Sequence, residues 1–313
     1  MLDCSQDAKT ARRMALLLVG AVLAGAALVG WGTFWRVRSS LRPLIDLAAQ
    51  TKAIDARHLG QRLSLAEPVE ELQPLIDQFN GLMQRVERTY VQLEGFNADV
   101  AHELRTPLAN LIGHTEVALS RERSVGELED TLHSNLEELH RMAAIVNDML
   151  FLAQADRGVK ARRGAAVSLA QLVQQVVEFH EAPMEERGLS VAIEGDTALS
   201  VDEPLIKRAL SNLLGNAIRY ADPGSTLSVR IARETGDSVR LWVENTGPTI
   251  EPEHLPRLFD RFFRADASRG EVDKPHHGLG LSIVAAIARM HDGFPAAESS
   301  GGITRVGFSL HAA

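Results

Sequence analysis

Cysteine is nearly absent from these 313 residues: Cys4 is the sole thiol, so neither a disulfide framework nor a cysteine-based metal site can be built. An excess of positive charge is lacking too. Forty-one acidic side chains against 33 basic ones leave a net charge of −8, which argues against nucleic acid as a partner. The 11 histidines fall without ligand spacing, so no metal centre is indicated. What the chain does have is length, enough for two or three domains with real cores, and one long uncharged run.

From Met14 to Trp35 no charged residue occurs over 22 positions. At about 1.5 Å per residue that run crosses a hydrocarbon core of roughly 30 Å. Trp31, Phe34 and Trp35 gather at one end, as an aromatic belt would. A cleaved signal peptide has a shorter apolar stretch, about 7–15 residues, and a small-residue cleavage site. The run exceeds that length and no such site precedes the aromatic cluster, so the expectation is a true span behind an N-terminal tail over residues 1–13. Lys9, Arg12 and Arg13 on one side balance Arg36, Arg38 and Arg42 on the other, so flanking charge leaves the orientation tied. Residues 36–88 then read as two short amphipathic helices, the first with Leu47 and Ile54 and the second starting near Leu72, joined by a connector holding Gly60 and Pro68.

Leu72, Leu75, Phe79, Leu82, Val86, Tyr90, Leu93, Phe96, Val100, Leu104, Leu108 and Leu111 recur at steps of three and four, the period of a long helix with one buried seam. His102 lies two residues from both Val100 and Leu104. At roughly 100° per residue it therefore points away from the seam, toward solvent. Thr106, at i+4, brings a hydroxyl to the same face. Pro107 has no N–H for the carbonyl of Glu103, which predicts a kink within a turn of His102. Glu103 adds a carboxylate, although neighbours at i and i+1 do not face each other on a helix. A polar turn over Arg121 to Gly126 follows, then a second seam at Leu128, Leu132, Leu136, Leu139, Val146, Leu150 and Ala153. Two such helices make an antiparallel hairpin, and two hairpins bury both seams as a four-helix bundle, hence a homodimer. His133 and His140 lie off the seam and read as surface residues.

Arg157 to Gly164 is basic and glycine-punctuated, a linker that would act as a hinge. Beyond it the pattern becomes mixed: LSVAIEGD, TLSVRIARE, SVRLWVEN and ITRVGFSL alternate as strands do, and helical segments are expected at 168–186, 203–220 and 281–290. Together they predict one sheet with helices on a face. On the middle helix Arg208, Asn212, Asn216 and Arg219 or Tyr220 form a polar stripe between apolar rows. Buried amides without hydrogen bonds are costly, so the stripe is either solvated or partnered; asparagine oxygens suit Mg²⁺. Asn245-Thr-Gly247 ends a strand in a glycine turn, Leu258 to Arg264 sets aromatics beside two guanidiniums, and Ala265 to His277 suits a mobile lid. Gly278-Leu-Gly280 then opens a helix, where glycines let a phosphate approach backbone N–H groups.

The run His102-Glu-Leu-Arg-Thr-Pro107, with Phe96 and Asp99 before it, resembles the H-box of bacterial sensor histidine kinases. The later segments resemble, in order, the N, G1, F and G2 boxes of the Bergerat-type ATP domain of that family, and residues 36–88, with Pro43 and Glu70-Glu71-Leu72, resemble a HAMP signal relay. The resemblance implies a multidomain chain: one transmembrane helix (14–35), HAMP helices (36–88), a dimeric four-helix bundle with the phosphoacceptor (89–157) and an α/β sandwich ATPase domain (165–313). It implies ATP and Mg²⁺ as cofactors. Asn212 and Asn216 would hold the metal, Arg219 and Tyr220 approach the phosphates, Asn245 and Gly247 line the adenine pocket, and Gly278 and Gly280 let the lid close. His102 would take the γ-phosphoryl group, Glu103 would polarise its ring, and Thr106 would position water for phosphatase duty. The phosphoryl group would then pass to an aspartate of a cognate response regulator.

Two positions depart from the family pattern. Asn245 stands where an aspartate is usual, so an acceptor lacks charge assistance, and Thr249 replaces a second glycine. The Glu-Asn-Thr-Gly form resembles the heavy-metal-sensor branch. The expected activity is an ATP-dependent histidine kinase in the inner membrane, its kinase part cytoplasmic. The alternative is a dimeric adaptor or regulator phosphatase with a weakened nucleotide site. Kinases of this layout usually place an outer sensor domain between two spans, so the expectation is either a truncated start or a signal arriving through the membrane or another protein.

Overall fold

A computed structural model describes residues 4–55, 60–65, 70–234, 238–265 and 278–311. The chain divides into two compact units, Met1–Asn97 and Ala98–Ala313.

In the first unit, helix α1 spans Cys4–Ala53, 50 residues, and carries Pro43 inside it. The helix expected directly behind the span, with Leu47 on it, continues α1 without a break and runs through Pro43. Among the described residues α1 is the one helix long and apolar enough to cross a membrane, and none of its apolar window is buried. A short 3₁₀ turn, Glu70–Leu72, leads into helix α2, Gln73–Leu119. Leu47 of α1, Leu63 of the connector and Ile76 of α2 form a small core, each 6% exposed or less. Two amides clamp the connector between the helices. Gln50 donates to the Ser64 carbonyl at 2.8 Å and accepts from its N–H at 3.1 Å. Asn80 does the same for Leu63, at 3.0 and 2.8 Å. Each side chain thereby supplies the pair of hydrogen bonds that a neighbouring strand would give to an extended segment.

The second unit begins within α2, which runs through Pro107 without interruption. Helix α3 covers Val125–Asp156. The turn expected to reach Gly126 ends at Ser124, which caps α3 in a capping box: Glu127 N–H donates to Ser124 Oγ, and the Glu127 carboxylate accepts from Ser124 N–H at 2.9 Å. These hydrogen bonds hold the Glu127 carboxyl below its ordinary range.

A five-stranded sheet follows, in the order β2 (Ser190–Glu194), β4 (Thr226–Arg233), β5 (Ser238–Thr246), β7 (Ile303–His311), β6 (Pro295–Ser300); only the β2–β4 pair is parallel. Strands β1 (Ala166–Ser168) and β3 (Ala198–Ser200) pair separately. Helices α6 (Glu203–Tyr220) and α7 (Gly280–Met290) pack on the sheet. The long helix expected over 168–186 is two, α4 (Leu169–Phe179) and α5 (Glu181–Glu186), broken at His180, whose Nε2 lies 2.9 Å from Ser211 Oγ on α6. Val239, Leu241 and Val243 alternate inward along β5 to meet Leu210 and Leu214 of α6, all 3% exposed or less. Asn245 is the next member of that inward row.

Candidate nucleotide and phosphoacceptor site

On α2, His102 and Thr106 are exposed and one turn apart, while Pro107 is buried. The proline therefore sits on the packed side, and the histidine is presented to solvent as its offset from the seam predicts. Glu103 is half-buried; a residue adjacent in sequence projects about 100° away from the imidazole. Two turns below His102, Asn110 donates to the Glu138 carboxylate of α3 at 3.1 Å, and Arg141 pairs with the same carboxylate at 2.7 Å. Glu138 is only 7% exposed, so its charge is held by two donors where an unpaired carboxylate would be costly. His133 and His140 are exposed. The seam side chains Leu132, Leu136, Leu139 and Leu150 are also exposed in the single chain, at 51–66%.

Helix α6 starts at the Asp202 cap, with Pro204 in its first turn. Asn212 and Asn216 are half-buried and one turn apart. Asn212 Nδ2 donates to the Arg208 carbonyl at 2.9 Å, which turns its oxygen away from the helix. That oxygen faces the start of α7: a Cβ at Gly280 would lie 2.7 Å from Asn212 Oδ1. The missing side chain at Gly280 is thus what lets this hard oxygen lie close to the N-terminus of α7. The arrangement suits a cation bound beside phosphates at a helix N-terminus. Arg219 and Tyr220 end the helix, the guanidinium 5.7 Å from the ring centroid. Arg187 donates to the Arg219 carbonyl at 2.7 Å and to that of Ala221 at 2.8 Å, satisfying carbonyls the helix end leaves open.

Asn245 is 6% exposed, and its amide makes no hydrogen bond to any described residue. It lies opposite Thr304 of β7, whose hydroxyl is 2.7 Å from Ser299 Oγ. A Cβ at Gly247 would collide with the Tyr220 carbonyl and come 3.3 Å from Asn245 Nδ2, so only glycine lets the end of β5 close over α6. Thr249, in place of a glycine, has a use of its own. Its hydroxyl accepts the Gly302 N–H at 3.0 Å, while Gly302 accepts from Gly247 N–H at 2.8 Å, which ties the β5 turn to the β6–β7 turn.

Gly278 has φ +68° and meets Phe262, itself at φ +59°; a Cβ at Gly278 would lie 2.7 Å from the Phe262 carbonyl carbon. Phe262 N–H donates to the Gly278 carbonyl at 3.0 Å. A phenylalanine in the left-handed region is strained, and the bond to Gly278 holds it there. Of the lid expected over Ala265 to His277, residues 266–277 lie outside the described residues; the chain on either side of them is joined at this Phe262–Gly278 bond.

Three features were not found from sequence. Arg208, one turn before Asn212, pairs with Asp148 of α3 and stacks 4.3 Å from the Phe151 centroid; Arg261 pairs with Asp156. The linker over residues 159–164 is coil, as expected, but it is fastened down. Ala161 N–H donates to Met290, Gly164 N–H to Val201, and Arg163 reaches both the His311 carbonyl and Asp292. The third is His291, 1% exposed, whose Nδ1 lies 2.9 Å from the Ile287 carbonyl and whose Nε2 accepts the Asp202 N–H at 3.1 Å. The accepting Nε2 requires the proton on Nδ1, a neutral ring, and burial pushes its pKa below the ordinary value. The apolar run before His291 gave no sign of this pin between α7 and α6.

Comparison with known proteins agrees with this division of labour. Residues 92–158 match the family described as His Kinase A (phospho-acceptor) domain, and residues 201–313 match the histidine kinase-, DNA gyrase B- and HSP90-like ATPase family. The chain is 45% identical over 264 residues to the sensor histidine kinase CusS of Escherichia coli O157:H7, covering 84% of this chain and 54% of CusS. It is 38% identical over 256 residues to the sensor protein CopS of Pseudomonas syringae pv. tomato, covering 82% of this chain and 51% of CopS. It therefore spans about half the length of the curated relatives it matches. The fold is similar to that of the histidine kinase ThkA, solved with response regulator protein TrrA, at TM-score 0.57 and 22% identity over 79% of this chain and 68% of that one. With a phosphoacceptor domain and an ATPase domain in this order, and relatives of the heavy-metal-sensor branch, the chain belongs to the sensor histidine kinases.

Proposed function

We propose that the protein is a membrane-bound sensor kinase that transfers the γ-phosphoryl group of ATP to His102 and then to an aspartate of a response regulator. The observation that carries the reading is the Asn212 oxygen, held close to the N-terminus of α7, where a side chain at position 280 would collide with it. The side chains present fit a divalent ion with a triphosphate. Asn212 and Asn216 are hard oxygen ligands for Mg²⁺, which when bound would neutralise charge on the phosphates. Arg219 and Tyr220 stand at the end of the same helix to orient the chain of phosphates. Asn245 and Gly247 would receive the base, and Gly278 fixes the return of the segment beyond Phe262.

His102, exposed on α2, attacks phosphorus in line through the lone pair of one ring nitrogen; the bond to the β–γ bridging oxygen breaks and ADP leaves. The attacking nitrogen's lone pair forms the N–P bond, and the other nitrogen keeps its proton. Glu103 is assigned to polarise that N–H, by resemblance to the family. The phosphoramidate is labile, which suits onward transfer. Thr106, on the histidine's face, would position water for the reverse duty.

The remaining assignments rest on the first unit and on the exposed seam. Residues 14–35 would span the inner membrane, with the kinase part in the cytoplasm. The amide-clamped connector between α1 and α2 supports a HAMP relay over residues 36–88. The seam leucines would be covered by a second copy in a four-helix bundle over residues 89–157, leaving residues 165–313 as the ATPase domain. A weakened nucleotide site serving an adaptor or phosphatase is the second reading, and Asn245, an amide where charge is usual, is what favours it.

The test is incubation of the full chain in detergent with γ-labelled ATP and Mg²⁺, beside His102→Gln and Asn216→Ala. Acid-labile, alkali-stable label on the parent and on neither variant is the expected result. A folded, dimeric parent that stays unlabelled moves the assignment to the second reading.

A further inference from the structure

We propose that Asn245 makes the site tolerant of the substituent at position 6 of the purine, so that 6-oxopurine triphosphates bind alongside ATP. The inference rests on the nucleotide reading above and adds a selectivity to it. Asn245 closes the inward row of β5 and is 6% exposed, yet no described residue bonds its amide. Its cross-strand neighbour Thr304 is engaged with Ser299, whose hydroxyl also accepts the Ile250 N–H at 2.9 Å. The nearby polar groups are thus committed to one another, and the amide is left for a ligand. The side chain is nearly buried while its amide atoms still reach solvent, so a bound ligand can take the place of that water.

The chemistry of the group then decides which ligand. A carboxylate only accepts: it attracts the 6-amino N–H of adenine and repels the 6-oxo oxygen of hypoxanthine. An amide accepts through Oδ1 and donates through Nδ2, and a half-turn about its last bond exchanges the two. Asn245 can therefore accept from a 6-amino group or donate to a 6-oxo group, with one uncharged hydrogen bond either way. Gly247 keeps the Nδ2 side clear, since an added Cβ there would stand only 3.3 Å from that nitrogen and crowd it. Mispairing against a charged acceptor is worth roughly 10–100-fold in affinity, whereas two equivalent neutral pairings differ by less than about tenfold.

The experiment is equilibrium binding of ATP and of inosine triphosphate, each with Mg²⁺, to the full chain in detergent, for the parent and for Asn245→Asp. The expected result is a parent ratio of dissociation constants within about tenfold, and a shift of at least tenfold toward ATP in Asn245→Asp. A parent that binds ATP and excludes inosine triphosphate by more than about a hundredfold overturns the proposal while leaving the nucleotide site intact. So does an Asn245→Asp protein that binds ATP with the parent's ratio. A parent that binds neither nucleotide overturns both readings. The parent comparison alone decides the matter if the variant does not fold.

Discussion

Replacing Gly280 by alanine adds a single methyl group and separates stability from nucleotide binding. The new carbon would lie 2.7 Å from Asn212 Oδ1, 3.5 Å from its Cγ and 3.7 Å from its Cβ. Relief requires Asn212 to rotate, because α7 is fixed by Ile283, Val284 and Ile287, each 1% exposed or less. Rotation strains the side chain by about 0.5–1.5 kcal/mol and weakens its 2.9 Å bond to the Arg208 carbonyl, worth about 0.5–1.5 kcal/mol. Against this, Gly280 lies in the first turn of α7 with no positive φ, so alanine there recovers about 0.4–1 kcal/mol from the unfolded chain. Net stability should fall by no more than about 2.6 kcal/mol, a modest part of a typical total. Affinity for Mg-ATP should fall further, about 10–100-fold, because the displaced oxygen is the one assigned to the metal. Urea denaturation and ATP titration of the same preparation measure the two effects. Unchanged ATP affinity in a folded Gly280→Ala protein would refute the placement of Asn212 at the metal.

Other perturbations reach other parts of the molecule. His291 has its pKa lowered by burial from 6.5, so its contribution to stability is full above about pH 6.5. Below that value the unfolded chain takes up the proton first; stability then falls with pH, by up to about 1.4 kcal/mol per unit, until the folded-state value is passed. The slope between pH 6.5 and 5 in urea melts should flatten in His291→Gln, and an unchanged slope would remove His291 as its source. Ser124→Ala should cost about 1 kcal/mol through loss of the α3 cap, read as a lower unfolding midpoint. Leu152→Ala, at 1% exposure, should cost about 2–5 kcal/mol in the same melts. Leu150→Ala, at 58% exposure, should leave the folded chain intact and weaken self-association, seen by sedimentation at graded concentration.

Where one periodicity governs a stretch, sequence was enough: α2, α6 and the strands β2, β4, β5 and β7 carry a single face each, and Asn245 could be placed inward by alternation alone. Short pieces lacked such a pattern. Strands β1 and β3 have three residues each and β6 reads Pro-Ala-Ala-Glu-Ser-Ser, so their pairing depends on neighbours remote in the chain. The break at His180 has a local cause that the apolar pattern masked, since Pro183 has no N–H for the Phe179 carbonyl, and a remote contact with Ser211, 31 positions away, accompanies it. In the site, glycine spacing suggested which backbone must be close, but not to what. That Gly280 faces Asn212 follows only from α6 and α7 lying side by side, and that Gly247 faces Tyr220 only from the end of β5 closing over α6.

Helix α3 shows most clearly what one seam hides. Leu128, Leu132, Leu136, Leu139, Val146 and Leu150 form the stripe visible in the sequence. Ile145, Asp148, Leu152 and Asp156 form a second one, roughly 145° around the helix at 100° per residue. Ile145 and Leu152 are each 1% exposed in the core shared with α6 and α7, while Asp148 and Asp156 meet Arg208 and Arg261. The two stripes do not overlap, so the surface left for a second copy is separate from the one that receives the ATPase domain. Release of that domain would break the two arginine pairs and expose Ile145 and Leu152 without touching the seam. Arg208 stands one turn from Asn212 and accepts its side-chain N–H at the backbone carbonyl, so its pair with Asp148 joins α3 to the helix that carries Asn212. The linker over 159–164, bonded to Val201, Met290 and Asp292, would travel with the ATPase domain, which confines the pivot to the turn at Arg157 and Gly158.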